Sequence, residues 1–194
     1  CRKMAILKSL RLVKSSTITR RYVVINGFDG VITILGILLG SYYIGTLSPD
    51  AVLAACLGAA VAMAISGVSG AYLSEKSEKQ KELRDLEKAM LADLGKSRIK
   101  EASRISTIVS ASAHGLSPLI FSIFILLPFI LKGVIEVQAR TIYFMSFFLV
   151  MVCLVLLGIF MARTARENAL AYIARTLVVG IVTAAILLLL KLFF

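Results

Sequence analysis

Tyr22-Val-Val-Ile-Asn-Gly-Phe-Asp-Gly30 opens the first long apolar run of the chain and sets an aspartate, Asp29, inside it. Apolar runs recur at 22–45, 51–73, 110–131, 141–162 and 170–190, and Asp29 is the only acid in any of them. Each run is of the length that crosses a bilayer as a helix. In hydrocarbon every backbone N–H and C=O has to be satisfied within its own segment, so such runs fold as helices. The reading is an all-α membrane protein with five transmembrane helices. The third run is the weakest, because Ser110, Ser112, His114 and Ser117 fall at its start and only 116–131 is strongly apolar. A carboxylate at membrane depth is costly, so Asp29 marks a functional position that faces protein or water rather than lipid.

Hydrophobic residues make up 59% of the 194, tryptophan is absent, and the formal net charge is +11. Mapped along the chain, seven Lys/Arg precede the first run and nine lie between the second and third. Arg163, Arg166 and Arg175 cluster around the junction of the fourth and fifth, whereas the opposite side receives Lys132, Arg140 and Lys191. By the positive-inside rule the N-terminus is cytoplasmic and the C-terminus outside or lumenal. Topology and anionic membrane lipid account for the charge, and no nucleic-acid partner is expected. Cys56 and Cys153 fall mid-run as small apolar fillers.

Four regions follow. Residues 1–21 form a basic cytoplasmic segment, read as a short interfacial helix from Ile6, Leu7, Leu10, Leu12 and Val13. Residues 22–73 hold transmembrane helices one and two, joined by a brief loop in which Ser48 caps, Pro49 takes the first helical position and Asp50 the first turn. The two are read as an antiparallel hairpin. Residues 74–109 form a cytoplasmic helical hairpin extending span two, whose first arm stops near Gly95 and whose second, amphipathic arm runs from Lys96 to Ile108. Residues 110–194 hold helices three to five, with Pro118 and Pro128 starting and kinking the third. Spans four and five carry few polar groups beyond Ser146, Thr176 and Thr183 and read as scaffold.

Small residues mark the first two spans. Gly36 and Gly40 form a GxxxG pair, and Ala54, Gly58, Ala62, Ser66 and Gly70 recur every fourth position in span two. Such a face serves ordinary close packing or lines a pore or dimer axis. On the extension, Glu75, Glu78, Glu82 and Asp85 follow i, i+3, i+7, i+10 and share one face. That face is either a solvated surface laced with lysine pairs or a cation-collecting site. His114, the single histidine, is a cap or packing residue or else a proton or metal group.

Catalytic patterns are missing: no HExxH, no GxSxG, no glycine-rich phosphate loop, and one intramembrane aspartate where an aspartyl protease needs two. The chain is therefore read as no enzyme and as needing no cofactor. A secondary transporter remains. Burial favours the protonated form of a carboxylic acid and a divalent cation favours the ionised form, so proton and cation compete for one group. Five spans do not divide into two equal repeats. A homodimer with the path on its twofold axis resolves this by setting two Asp29 side chains opposite each other.

These residues also resemble a known family. Gly27-Phe-Asp-Gly30 with Thr33 is similar to the Gly-x-Asn-Asp-Gly opening of the vacuolar iron transporter family, and Ala64-Ile-Ser-Gly-Val-Ser-Gly-Ala-Tyr-Leu-Ser74 to its Ala-Leu-Ser-Met-Ala-Ala-Gly-Glu-Tyr-Val-Ser. Asp85-Leu-Glu87, Gly115-Leu-Ser-Pro118, Leu127-Pro128-Phe129 and Arg175-Thr-Leu with Gly180 follow in order. The resemblance implies a five-helix homodimer exchanging Fe²⁺ or Mn²⁺ for protons and moving metal out of the cytoplasm between the paired spans one and two. It sets the key aspartate on Asp29 and metal-collecting glutamates on Glu82 and Glu87. Gly27, Gly30, Gly36, Gly40, Gly67 and Gly70 would let helices close around the axis, with Met63 and Ser66 on the path. The chain departs from the pattern at Gly67, where the family has methionine, and at Ala71, where it has glutamate. Met63, one turn earlier, is the candidate replacement thioether. A site short of soft sulfur tolerates the harder Mn²⁺ better than Fe²⁺, which tilts the expectation towards manganese. The alternatives are a transporter of the same architecture for another substrate, or a membrane scaffold whose basic hairpin binds lipid or protein.

Overall fold

The computed structural model describes residues 2–45, 48–91, 98–133 and 138–191, and among these there is no strand. Five helices carry the chain: α1 (Arg2–Ile44), α2 (Pro49–Met90), α3 (Arg98–Ile130), α4 (Ala139–Ala165) and α5 (Ala169–Lys191), with a 3₁₀ turn at Leu131–Gly133. All five are long and apolar enough to span a membrane, over Arg20–Tyr43, Pro49–Met90, Ser103–Ile130, Ala139–Ala165 and Ala169–Leu190. The protein is an integral membrane protein of five transmembrane helices.

Two helices, α1 and α3, run further than the sequence reading has them, and α2 stops short of it. The segment 2–19 is no separate short helix: its backbone continues the helix of the first span. No glycine or proline before Gly27 interrupts it, and without such a breaker the backbone ladder propagates. The side chains of Ile6, Leu7, Leu10, Leu12 and Val13 lie outside the described residues. Helix α2 begins as its sequence predicts. The Ser48 hydroxyl accepts from the Ala51 amide at 3.3 Å, Pro49 follows, and Asp50 lies in the first turn. It crosses the span and runs on without a break for 42 residues, roughly 63 Å at 1.5 Å per residue. It ends earlier than Gly95, at Met90, where Leu91 turns left-handed with φ of 48° and its amide bonds the Glu87 carbonyl. Gly95 and Lys96 lie outside the described residues, as do the side chains of Ile99 and Ala102, which the sequence sets with Ile105 and Ile108 on the apolar side of the second arm. The second hairpin arm and the third span are one helix, α3, with Pro118 and Pro128 inside it. Pro118 does not start the span.

Packing also differs from a simple hairpin of spans one and two. Helix α3 is the main neighbour of both α1 and α2, which meet each other less. The reason lies in small residues. A Cβ on Gly30 would sit 2.8 Å from the Cα of Pro118, and one on Gly27 would sit 2.6 Å from the Phe121 ring. A Cβ on Gly67 would lie 3.1 Å from the Cα of Gly115. Glycines of α1 and α2 thus admit the backbone of α3. The core is built on α1, where Val31, Ile34 and Leu38 are fully buried among Ile125, Leu126 and Phe129 of α3 and Val150, Cys153 and Leu154 of α4. Helix α5 lies on α4, where Gly158 admits Ile173 and the Thr176 hydroxyl donates to the Leu154 carbonyl at 3.0 Å. Lys132, after α3, pairs with Asp50 at the start of α2.

Candidate cation site in a cleft of α1, α2 and α3

On α1, Tyr22, Asn26 and Asp29 follow i, i+4, i+7 and share a face. On α2, Ala62, Met63, Ser66, Gly67, Gly70, Ala71 and Ser74 do the same over three turns. His114 and Pro118 stand one turn apart on α3. These three faces line one open cleft of about 740 Å³. The site therefore brings Asp29, Met63 and Ser66 together, as the sequence reading pairs them, at the level of the spans.

Asp29 is exposed on its helix face, and among the described residues it has no ion pair or hydrogen bond. Asn26 is buried and donates from Nδ2 to the Tyr22 carbonyl at 2.8 Å. Ser117 ties α3 to α1 by donating to the Val23 carbonyl at 2.6 Å. The Tyr22 ring stands edge-on to the His114 imidazole at 4.9 Å. Its hydroxyl donates to Glu75 at 2.9 Å. Tyr22, Asn26 and His114 are cleft residues that the sequence reading leaves out of the site. The i, i+4, i+7 spacing on Asp29 was the signal that points to the first two; nothing local sets His114 beside them.

The acids of the extension are not gathered in the same way. Glu75 is only 4% exposed and is held by Tyr22. Glu78 and Asp85 are exposed, Glu82 pairs with Lys79 at 3.1 Å, and Glu87 is half-buried. Among the described residues no three His, Cys, Asp or Glu side chains cluster closely enough to hold a metal ion. Any cation in one chain's cleft would have Asp29 as its only carboxylate, helped by the neutral donors Ser66, Met63 and His114.

The glycines divide. Gly27, Gly30 and Gly67, read as helix packing at an axis between copies, face α3 of the same chain, because a close helix crossing has already used their missing side chains. Gly36, Gly40 and Gly70 have nothing within 4 Å of an added Cβ, and neither has Gly58.

The VIT family model matches residues 20–93 and 80–190, which takes in all five spans and the whole cleft. The chain belongs to the VIT family. Membership makes it a membrane metal-ion transport protein, in a family of transporters and not of enzymes. An uncharacterized protein of Methanocaldococcus jannaschii is 28% identical over 153 residues, 77% of this chain and 76% of that protein. No solved structure matches the chain.

Proposed function

We propose that this VIT-family protein is a secondary transporter that exchanges a divalent metal ion, Mn²⁺ or Fe²⁺, for protons and exports the metal from the cytoplasm. Asp29 is the group both ions compete for. The observation that carries the reading is a carboxylate inside the span of α1, free of any described partner and lining an open cleft. In the scaffold alternative that acid would be neutralised by a fixed partner.

The path lies on the twofold axis of a homodimer formed by α1 and α2. In support, α2 is among the least covered spans. Ala54, Ala55, Gly58, Ala62, Ser66 and Gly70 are exposed along it, and the cleft opens on the same side. A second copy would cover that face and set a second Asp29 near the first, so that their protons belong to the pair. The basic N-terminal end faces the cytoplasm and anionic lipid. Glu78, Glu82, Asp85 and Glu87 attract the ion from that side, while Glu75 anchors the cytoplasmic end of α1 to α2.

In proteoliposomes, Asp29→Asn abolishes metal-driven proton flux while the protein stays a folded dimer. Flux equal to wild type in that variant rules the mechanism out. Loading the same vesicles in turn with Mn²⁺, Fe²⁺, Co²⁺, Zn²⁺ and Ca²⁺ distinguishes this cargo from an unrelated substrate: if none drives flux, the metal assignment goes.

A further inference from the structure

Resting on the exchanger reading, we propose that His114 is a cation ligand of the cleft alongside Asp29, and that its imidazole turns the site towards the borderline metals Fe²⁺, Co²⁺ and Zn²⁺ and away from Mn²⁺, Mg²⁺ and Ca²⁺. A histidine kept for packing is normally hydrogen-bonded through its ring. Here Nδ1 is buried with no partner among the described residues. A buried polar atom left in that state destabilises the protein, and a bound cation removes the cost. The ring belongs to the cleft wall, and the Asp29 carboxylate acts on it electrostatically.

Two neighbours make the arrangement specific. Pro118 has no N–H, so it cannot donate to the carbonyl of His114 one turn earlier. That carbonyl is a second donor on the same residue, an oxygen beside the ring nitrogen, in a stretch of helix that borders the cleft. Gly67 leaves the room the imidazole fills: a Cβ there would lie 2.9 Å from Cδ2 of His114. A methionine at 67, which the sequence resemblance leads one to expect, would collide with the ring. The small residue on α2 and the imidazole on α3 go together, and a nitrogen donor takes the place of a thioether. Imidazole suits Fe²⁺ and Zn²⁺, whereas a site of carboxylate, carbonyl and water suits Mn²⁺, Mg²⁺ and Ca²⁺. The preference for manganese argued from missing sulfur is thereby reversed.

Because the chain has one histidine, the test is direct. The full chain, free of any histidine tag and labelled with ¹⁵N-histidine, is titrated with zinc chloride in lipid nanodiscs, with NMR and calorimetry on the same sample. One ring nitrogen shifts on zinc binding, and the spectrum states which. In competition uptake, Zn²⁺ and Co²⁺ outcompete Mn²⁺. His114→Phe then weakens zinc binding at least ~10-fold, since even losing a ligand's outer partner costs that much, and leaves manganese affinity little changed. Zinc binding that Asp29→Asn abolishes but that leaves both ring nitrogens unmoved overturns the His114 assignment alone. A wild-type protein that neither binds nor transports any of these ions overturns the exchanger reading with it. The wild-type spectrum decides the matter even if His114→Phe does not fold.

Discussion

Gly30 and Gly36 lie on the same helix, yet their surroundings are opposite. Gly30 is buried against the backbone of Pro118, and Gly36 has nothing near it within the chain. Gly30→Ala therefore forces α1 and α3 apart and destabilises the fold by about 1–3 kcal/mol, the usual cost of overpacking. Gly36→Ala leaves the single chain's stability within about 0.5 kcal/mol of wild type, as for surface changes generally. In a Cys1→Ser background a thiol-reactive dye reads both during a thermal ramp, since Cys56 and Cys153 are buried and react only on unfolding. Asp29 illustrates the same separation of information. That the residue is functional follows from its cost in hydrocarbon. That Met63, Ser66 and His114 share its cleft follows only from the packing.

Helices α1 and α2 meet less than either meets α3, and among the described residues a side-chain hydrogen bond ties them, from Tyr22 of α1 to Glu75 of α2. Glu75 is buried, so its carboxylate depends on that hydroxyl. Tyr22→Phe leaves it short of a donor and destabilises the protein by about 1–3 kcal/mol. Glu75→Gln in the same background recovers most of that loss, because a neutral amide is cheaper to bury than a carboxylate. The pair of melting curves, Tyr22→Phe and the double variant, checks the assignment; no recovery in the double variant would show that the hydroxyl matters for another reason. The acid pattern on α2 was readable as one face, but helical spacing does not reveal that its first member turns inward. Likewise the two prolines of α3 are plain in the sequence. The reading of Pro118 as a helix start fails because Pro118 packs on Gly30, and tertiary contact holds the helix through the missing hydrogen bond.

At the scale of the molecule, α2 and α5 are the spans least covered within one chain. Lipid suffices for α5, whose exposed face is built of large residues such as Val178, Ile181 and Val182. The exposed face of α2 is mostly small, and small faces bring helices together in membranes. Ser66→Cys, made with Cys1→Ser, is expected to form a disulfide between two copies in native membranes, seen as a dimer on non-reducing gels. The parent with only buried Cys56 and Cys153 stays monomeric there. Absence of that cross-link under oxidation places the interface elsewhere and removes the axial path.

Run length and hydropathy were enough for the class, the number of spans and the position of the one intramembrane acid, because a bilayer leaves a long apolar segment no alternative to a helix. The start of α2 was equally legible, since a cap depends on residues adjacent in the chain. Neighbour relations were not. Which helices α3 would separate, which glycines it would use and whether His114 would come to line the cleft with Asp29 depend on contacts between residues far apart in the chain, as in Ser117 to Val23, 94 apart. Local spacing states which residues share a face of one helix; only the packed bundle states what that face meets.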